Sequence, residues 1–418
     1  MDKLYNQLSI QTFSELKKYK SRRVLLRLDL NESLDKRGKL LDDYRLQSVI
    51  PTVQQLQKNH NKIVIVSHMG RPDGKISKSL SLEPIARRLA EILNVKFVVS
   101  DKQLPTYPVA HLVLFTGDIT DPKVNQMLAE DKSSNIILLE NIRFYPEEEQ
   151  NDSSFAKLLS GLGDVFVNDC FAVDHHKAAS ISAITKFLPS VAGPLLTKEI
   201  LALDHLVSGK IKQPFVLLMG GVKISDKAQT LKNLGKHADQ ILIGGGLANL
   251  FLAVQGYNVD VKKFDKADLV LTKQILTNFK NKIVLPKDVV VESKEKVRST
   301  KILHKVVSDL KISDLIYDIG PKTILEYSKI LREAKTICWN GPLGFFEQPA
   351  FKTGTMAIAK VIGAVGKRKA YAVVGGGETV AAVRQSGQEE YFDHVSTGGG
   401  AMLEYLAGNK LPGIEALK

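Results

Sequence analysis

The feature that most constrains this chain is a repeating unit: a short aliphatic, β-branched run that ends in a polar or glycine cluster and is followed by a stretch of helical period. Such runs suit strands buried on both faces, and their alternation with helices predicts an α/β protein with parallel sheets. In the first half they are VLLRLDL from Val24, KIVIVSH from Lys62, NIILLEN from Asn135 and DVFVND from Asp164. In the second half they are PFVLLMGG from Pro214, QILIGGG from Gln240, KIVLP from Lys282, TICWNG from Thr336 and YAVVGGG from Tyr371. Two doubly wound sheets are expected rather than one. The chain is interrupted by Pro189, Gly193 and Pro194 within Phe187 to Leu203, so a short connecting helix between two lobes is expected there.

At 418 residues, 44% hydrophobic and 25% charged, the chain can bury the cores that two lobes need. Cys170 and Cys338 are its only cysteines and form no CxxC pair, which excludes a disulfide framework and points to a reduced, cytoplasmic setting. The opening MDKLYNQLSIQTFSELKKYK has no apolar signal core, and no run reaches the length of a membrane span. The net charge of +13 is uneven: residues 1–192 carry 26 Lys and Arg against 23 Asp and Glu, and the remainder 32 against 22. The excess is scattered as single lysines without interleaved aromatics, which reads as solvated surface rather than a nucleic-acid stripe.

Ligands of open α/β sheets collect beyond the carboxyl ends of strands, so the residues that follow each run matter most. In the first half these are Asp29 and Asn31, then His68 and Arg71, then Arg143, with Arg45 on the helix-like segment DDYRLQSVIPTVQQL. Taken singly each has a duller reading: Asp29 as a helix cap, Arg45 in a surface ion pair, His68 as a loop histidine. Together they suit a small anion, because an arginine fork grips two oxygens of a carboxylate or phosphate. In the second half glycine clusters follow the strands: GGVK from Gly220, Gly244 to Gly246, GGGET from Gly375 and TGGGA from Thr397. They lack the GxxxxGK[ST] and GxGxxG spacings, yet they suit phosphates held by backbone N–H groups at helix starts. A tight strand-to-helix turn is the alternative for any one of them. Lys223 and Lys227, four apart, are expected to share a helical face and to offer charge to transferring phosphates. An anion lobe and a nucleotide lobe describe a phosphoryl-transfer enzyme that closes a cleft to exclude water.

These residues resemble one family, the phosphoglycerate kinases, over nearly the whole chain. RLDLN at Arg27 to Asn31 is similar to the family's RVDFN, SHMGRP at Ser67 to Pro72 to SHLGRP, and LLENIRFYPEEE at Leu138 to Glu149 to its LLENLRF segment. GGVKISDK resembles GGAKVSDK, CWNGPLGFFE at Cys338 to Glu347 resembles the WNGPxGxFE box, and HVSTGGGAMLEYLAG at His394 to Gly408 resembles HVSTGGGASLEFL. The resemblance implies two Rossmann-like lobes with a hinge-closing cleft: residues 1–190, joined by the tail 405–418; a connecting helix at 191–206; and a nucleotide lobe at 207–404. It implies reversible phosphoryl transfer from 1,3-bisphosphoglycerate to ADP with Mg²⁺, giving 3-phosphoglycerate and ATP in glycolysis, by direct in-line transfer in a cytoplasmic monomer without membrane or specific nucleic-acid partners. Motif by motif, Asp29, Asn31, His68, Arg71, Arg143 and His176 would bind substrate, while Arg45, Lys223, Gly377 and Gly400 would stabilise the transferring group. Lys227, Gly244, Gly245, Gly320, Asn340, Glu347, Gly376, Gly377, Glu378 and Thr379 would bind nucleotide, with Glu378 near the metal.

Two positions depart from the family pattern. Where the family reads FGTAHRAHAS this chain reads FAVDHHKAAS, so His176 replaces an arginine, with Lys177 beside it to restore the charge. Histidine's ordinary pKa near ~6.5 predicts an affinity for 3-phosphoglycerate that rises toward acid pH. Glu378 stands for the family's aspartate and is expected to be tolerated through outer-sphere contact with the metal. The competing readings are a nucleotide-binding pseudoenzyme, disfavoured by retained Arg45, Lys223 and Lys227, and a nucleic-acid binder, which a two-salt binding assay would test.

Overall fold

Seven of the aliphatic runs and short extended segments of the first half line up in one sheet. The computed structural model describes residues 10–12, 20–102, 104, 111–130, 136–209, 211–296 and 299–418. Most of the leading segment read above for a signal core, and Asn135 at the head of one run, lie outside the described residues. The strands are β1 (Arg23–Leu28), β2 (Lys62–Val66), β3 (Lys96–Ser100), β4 (His111–Phe115), β5 (Ile136–Leu139), β6 (Val165–Asp169) and β7 (Ser190–Ala192). Their order is β3-β4-β5-β2-β1-β6-β7 and every pairing is parallel. Alternate residues feed opposite faces. Val24, Leu26, Ile63 and Ile65 pack with Leu46, Val49 and Val53 of the helix Tyr44–Lys58, while Leu25, Val64 and Phe166 pack with Phe155 and Leu159 of the helix Ser153–Ser160. Each fully buried aliphatic side chain contributes roughly 1.5–3 kcal/mol, so both faces must be covered, and the sheet is doubly wound.

The second half forms β8 (Phe215–Met219), β9 (Gln240–Ile243), β10 (Ile283–Val284), β11 (Asp288–Lys296), β12 (Ser299–Val306), β13 (Leu315–Ile319), β14 (Thr336–Asn340), β15 (Tyr371–Gly375) and β16 (His394–Val395). A six-stranded parallel sheet runs β10-β9-β8-β14-β15-β16, and a separate antiparallel sheet runs β12-β11-β13. The fold is thus α/β with two doubly wound parallel sheets, plus a three-stranded sheet that the run-based reading does not contain. In the first sheet the winding reverses at neighbouring β1 and β6, and in the second between β8 and β14. Those reversals open crevices beyond the carboxyl ends of these strands.

Among the described residues the chain divides into two units, Met1–Leu201 with Lys410–Lys418, and Ala202–Asn409. The division falls inside the helix Pro194–Val207 rather than at its ends, which moves the expected limits at 190 and 207. Its last turn is tied to the second unit, where the Tyr371 hydroxyl donates to the carbonyl of Ala202 (3.2 Å) and the Tyr405 hydroxyl to Asp204 (2.5 Å). The returning tail begins at Lys410 rather than 405, because Asn233 Nδ2 donates to the carbonyl of Leu406 (2.7 Å) and keeps residues 405–409 in the second unit. Gly413 then packs on the loop after β6, its N–H donating to the carbonyl of Asp174 (2.9 Å).

Candidate active site

The carboxyl ends of β1, β2, β5 and β6 gather the anion-binding candidates of the first unit. Asp29 follows β1 and accepts from Arg45 Nη1 (2.8 Å), which also donates to the carbonyl of Asn31 (2.9 Å). Arg45 lies in the first turn of Tyr44–Lys58, whose orphan N–H groups are met by a buried carboxylate from outside the helix: Glu32 accepts from the N–H of Arg45 (2.6 Å) and of Leu46 (3.2 Å). Burial pushes Glu32 up to about 7. Asn31 Oδ1 accepts from the N–H of Gly70 (2.9 Å), which fixes the loop carrying Arg71. Asn141, wholly buried after β5, accepts from the N–H groups of Met69 and Arg143 (3.1 Å each), so one side chain aligns the loops of His68 and Arg143.

His68 is buried, and burial with the nearby guanidinium of Arg27 holds its pKa well below the ordinary value. Arg27 Nη2 lies 3.4 Å from His68 Nδ1. A guanidinium only donates, so Nδ1 accepts and the proton of the neutral ring sits on Nε2. Arg27 is itself anchored, its Nε donating to Ser180 Oγ (2.9 Å), and the Ser180 hydroxyl and N–H donate to Glu148 (2.6 and 2.8 Å). The sequence reading missed Arg27, Ser180 and Glu148 as site residues. An arginine inside the buried run VLLRLDL was the available signal, because a charge at such a position requires partners.

Arg27, Arg71, Arg143, His176 and Lys177 line one cavity of about 370 Å³, which also meets Asp73, Glu148 and Glu149. Arg143 is partly committed, with Nη1 donating to the carbonyl of Gly70 (2.8 Å) and Nε 3.4 Å from Glu149. Among the described residues neither Arg71 nor Lys177 forms an ion pair, so both can meet an incoming anion. His176 stacks on His175 with centroids 3.9 Å apart, and burial followed by the charges of His175, Arg143 and Arg71 pushes it down to about 4. This revises the acid-side gain expected from the sequence. The ring stays neutral from pH 8 to 6, and uptake of a proton with the anion is displaced to more acid pH.

Asp174 introduces a pH dependence of another kind. It is fully buried; Oδ1 accepts from Asn168 Nδ2 (2.8 Å) while Oδ2 has no hydrogen-bond partner. Burial raises its pKa from the model-peptide 3.8 to about 7, opposed by the Asn168 bond and Arg27 and reinforced by Asp169. A folded pKa above the unfolded one means the fold favours the protonated form, and stability is lost as pH rises through about 7. Asp174→Asn is therefore expected to raise Tm by about 5 °C at pH 8 and by nothing at pH 4, read by calorimetry. Equal gains at both pH values would show that the carboxylate's charge is not the cause.

In the second unit the glycine clusters meet at the reversal between β8 and β14. The N–H of Gly220 donates to the carbonyl of Asn340 (2.9 Å), and a Cβ at Gly220 would lie 2.1 Å from the carbonyl oxygen of Pro342. Asn340 Nδ2 donates to the carbonyl of Gly375 (3.0 Å), and Thr379 Oγ1 accepts from the N–H of Gly341 (2.7 Å), so Asn340 and Thr379 join the ends of β14 and β15. Gly376, at φ 96°, turns the chain into the helix Gly377–Gln385, whose first turn carries the exposed Glu378 and offers N–H groups without intrahelical partners. Lys227 has its pKa lowered, chiefly by burial, and its Nζ would lie 3.3 Å from a Cβ at Gly221.

One expectation changes here. Lys223 and Lys227 do not share a helical face: Lys223 lies in a loop, and the helix begins only at Ala228, after a turn closed by the Lys227 N–H on the carbonyl of Ile224 (3.0 Å). The N–H groups of Gly244 and Gly245 are spent on the carbonyls of Met219 and Leu343 (2.9 Å each), as a tight strand-to-helix turn requires. Gly320 caps the helix Pro321–Glu333 beside Asp288, whose carboxylate accepts from the N–H groups of Lys322 and Thr323 (3.0 and 2.7 Å). Glu347 is exposed after β14, and Gly400 opens the helix Gly400–Leu406 behind Gly399 at φ 45°. No group of three or more His, Cys, Asp or Glu suited to a metal ion occurs among the described residues.

The chain matches the family described as "Phosphoglycerate kinase" over residues 14–409. It is 41% identical over 405 residues to the phosphoglycerate kinase of Coprothermobacter proteolyticus, covering 95% of this chain and 96% of that one. It is 40% identical over 399 residues to that of Desulforudis audaxviator, with the same coverage. Among solved structures, the phosphoglycerate kinases of Coxiella burnetii (TM-score 0.78, 35% identity) and Pyrococcus horikoshii (TM-score 0.82, 30% identity) each match over 98% of both chains.

Proposed function

The chain belongs to the phosphoglycerate kinase family, and on that premise we propose how its residues divide the work. The activity is that of a glycolytic kinase, a phosphotransferase acting on a carboxyl group of a small substrate with ATP or ADP. In the proposed assignment Asp29, Asn31, His68, Arg71, Arg143 and Lys177 hold 3-phosphoglycerate. Arg45 stabilises the equatorial oxygens of the transferring group, with Lys223 and the N–H groups of Gly377 and Gly400 contributing from the nucleotide side. Lys227, Asn340, Glu347, Gly376, Glu378 and Thr379 hold the nucleotide. No covalent intermediate is required, because positioning and charge stabilisation account for transfers of this kind. Acceptor and donor groups lie on different units, so the bound ligands must be brought together and water kept out. A cytoplasmic monomer is part of the proposal; among the described residues no helix is long and apolar enough to cross a membrane.

The observation that carries this reading is the convergence of Arg27, Arg71, Arg143 and Lys177 on one cavity beyond the carboxyl ends of the first sheet. Mg²⁺ fits the second unit as an ion held chiefly by nucleotide phosphates, with Glu378 in the first turn of the helix Gly377–Gln385 as the carboxylate proposed near it. When bound, it neutralises charge on those phosphates. Glu378→Asp should change kcat by less than about tenfold, some 1.4 kcal/mol of barrier, in a steady-state assay with saturating Mg²⁺. ATP consumption with 3-phosphoglycerate, coupled to reduction of the acyl phosphate, tests the whole reading: turnover of roughly 1–100 per second is expected. No turnover in a folded, nucleotide-binding protein would overturn it.

A further inference from the structure

The first unit contains a second, larger cavity that the reaction leaves unused. Its volume is about 650 Å³, it lies past the carboxyl ends of β4 and β5, and its walls include Phe115, Leu139, Phe144, Tyr145 and Pro146. Its charged lining is Asp118, Glu140 and Glu147 against Lys78 alone. At its rim Ile76 is 86% exposed, an aliphatic side chain presented to water beside aromatic walls. A flat apolar body would cover that side chain and rings, and the excess of carboxylates selects a cation at its end.

The same two segments build both cavities. From residues 70–82, Arg71 and Asp73 face the anion cavity, while Ile76, Ser77, Lys78 and Ser81 face the second. From residues 140–149, Arg143, Glu148 and Glu149 face the first, and Glu140 with Phe144 to Glu147 the second. The segments are locked together: Asn141 Nδ2 donates to the carbonyls of Met69 (2.7 Å) and Leu80 (2.9 Å), and Glu140 accepts from Ser81 Oγ (2.7 Å) and the N–H of Leu82 (2.8 Å). A Cβ at Gly70 would lie 2.7 Å from Leu80 Cδ2, and one at Gly74 2.8 Å from the Cβ of Pro146. Walls packed this closely leave little room for one segment to shift without the other.

We propose that this second cavity is an effector site for a protonated amine on a flat aromatic body, and that its occupancy weakens phosphoglycerate binding by holding Arg143 on the Gly70 carbonyl and Glu149. The coupling rests on the anion cavity being the phosphoglycerate site. Tryptamine is the probe, with neutral 3-methylindole and anionic indole-3-acetate as controls, observed by methyl NMR of the full chain. Saturable shifts at Ile76 and Ile119 are expected with tryptamine below about 5 mM, with weaker binding of both controls. Tryptamine should raise KM for 3-phosphoglycerate about threefold with KM for ATP unchanged, and 3-phosphoglycerate should weaken tryptamine binding by the same factor. Thr116→Trp, an exposed lining position outside the reaction, should abolish the shifts, keep basal kcat, and leave a KM for 3-phosphoglycerate that tryptamine no longer changes. Absence of saturable shifts, or their survival in Thr116→Trp, overturns the site. Tighter binding of indole-3-acetate overturns the ligand class, and shifts without reciprocal coupling overturn the regulation. Loss of the kinase reading would instead show as no turnover in the untreated protein, with the shifts intact.

Discussion

Arg45→Ala is expected to lower kcat by about three orders of magnitude while KM for ATP stays within about threefold, measured in the forward coupled assay. The expectation follows from how the guanidinium is held. Among the described residues only Nη1 is engaged, by Asp29 and the carbonyl of Asn31, and Glu32 fixes the backbone of the first helical turn. Nε and Nη2 are left to meet charge that develops on a phosphoryl group, and such arginines contribute roughly 10³–10⁵ in rate. Alanine also leaves the carboxylate of Asp29 without its cation close to an anionic substrate, so KM for 3-phosphoglycerate should rise as well. Arg45→Lys keeps that charge without the planar fork and should recover part of the KM effect but little of kcat. A KM-only effect of Arg45→Ala would assign Arg45 to ground-state binding instead.

What was legible in the sequence divides along a physical line. Strands buried on both faces, such as Val24 to Leu26 in β1 and Phe215 to Met219 in β8, announce themselves as apolar runs, although β4, HLVLF, is equally buried and stands outside the runs singled out from the sequence. Edge strands do not: Lys96–Ser100 is partly exposed along its length, and β7 has three residues, so neither rises above its surroundings. The β11–β12 hairpin is hidden because its sequence, DVVVESKEK followed by STKILHKV, mixes lysines into an antiparallel sheet that is not part of the doubly wound core. Polar residues at strand ends were found because the topology of open sheets says where to look. Glu148, Ser180 and Asp174 were not, since only tertiary burial turns a polar loop residue into a supporting group. Lys223 and Lys227 were misjudged for the opposite reason, a helical spacing imposed on what is a turn.

The largest effect expected on substrate affinity falls on Lys177. In the cavity that Arg71 and Arg143 share with it, His176 cannot supply charge near neutrality, because burial and neighbouring cations push its pKa down to about 4. The cationic group left at that end of the wall is the exposed ammonium of Lys177. Lys177→Ala should raise KM for 3-phosphoglycerate by about 10–30-fold, a charge-assisted bond of roughly 1.5–2 kcal/mol, with kcat and KM for ATP little changed. His176→Arg in that background should recover most of the loss, since a guanidinium needs no proton from the medium and can grip two oxygens. The pH profiles separate the two groups. The wild type should show a flat contribution from this wall between pH 6 and 8, with any gain from His176 confined to more acid pH as the bound anion draws a proton onto the ring. A wild-type KM that falls steeply from pH 8 to 6, together with a silent Lys177→Ala, would return the role to His176.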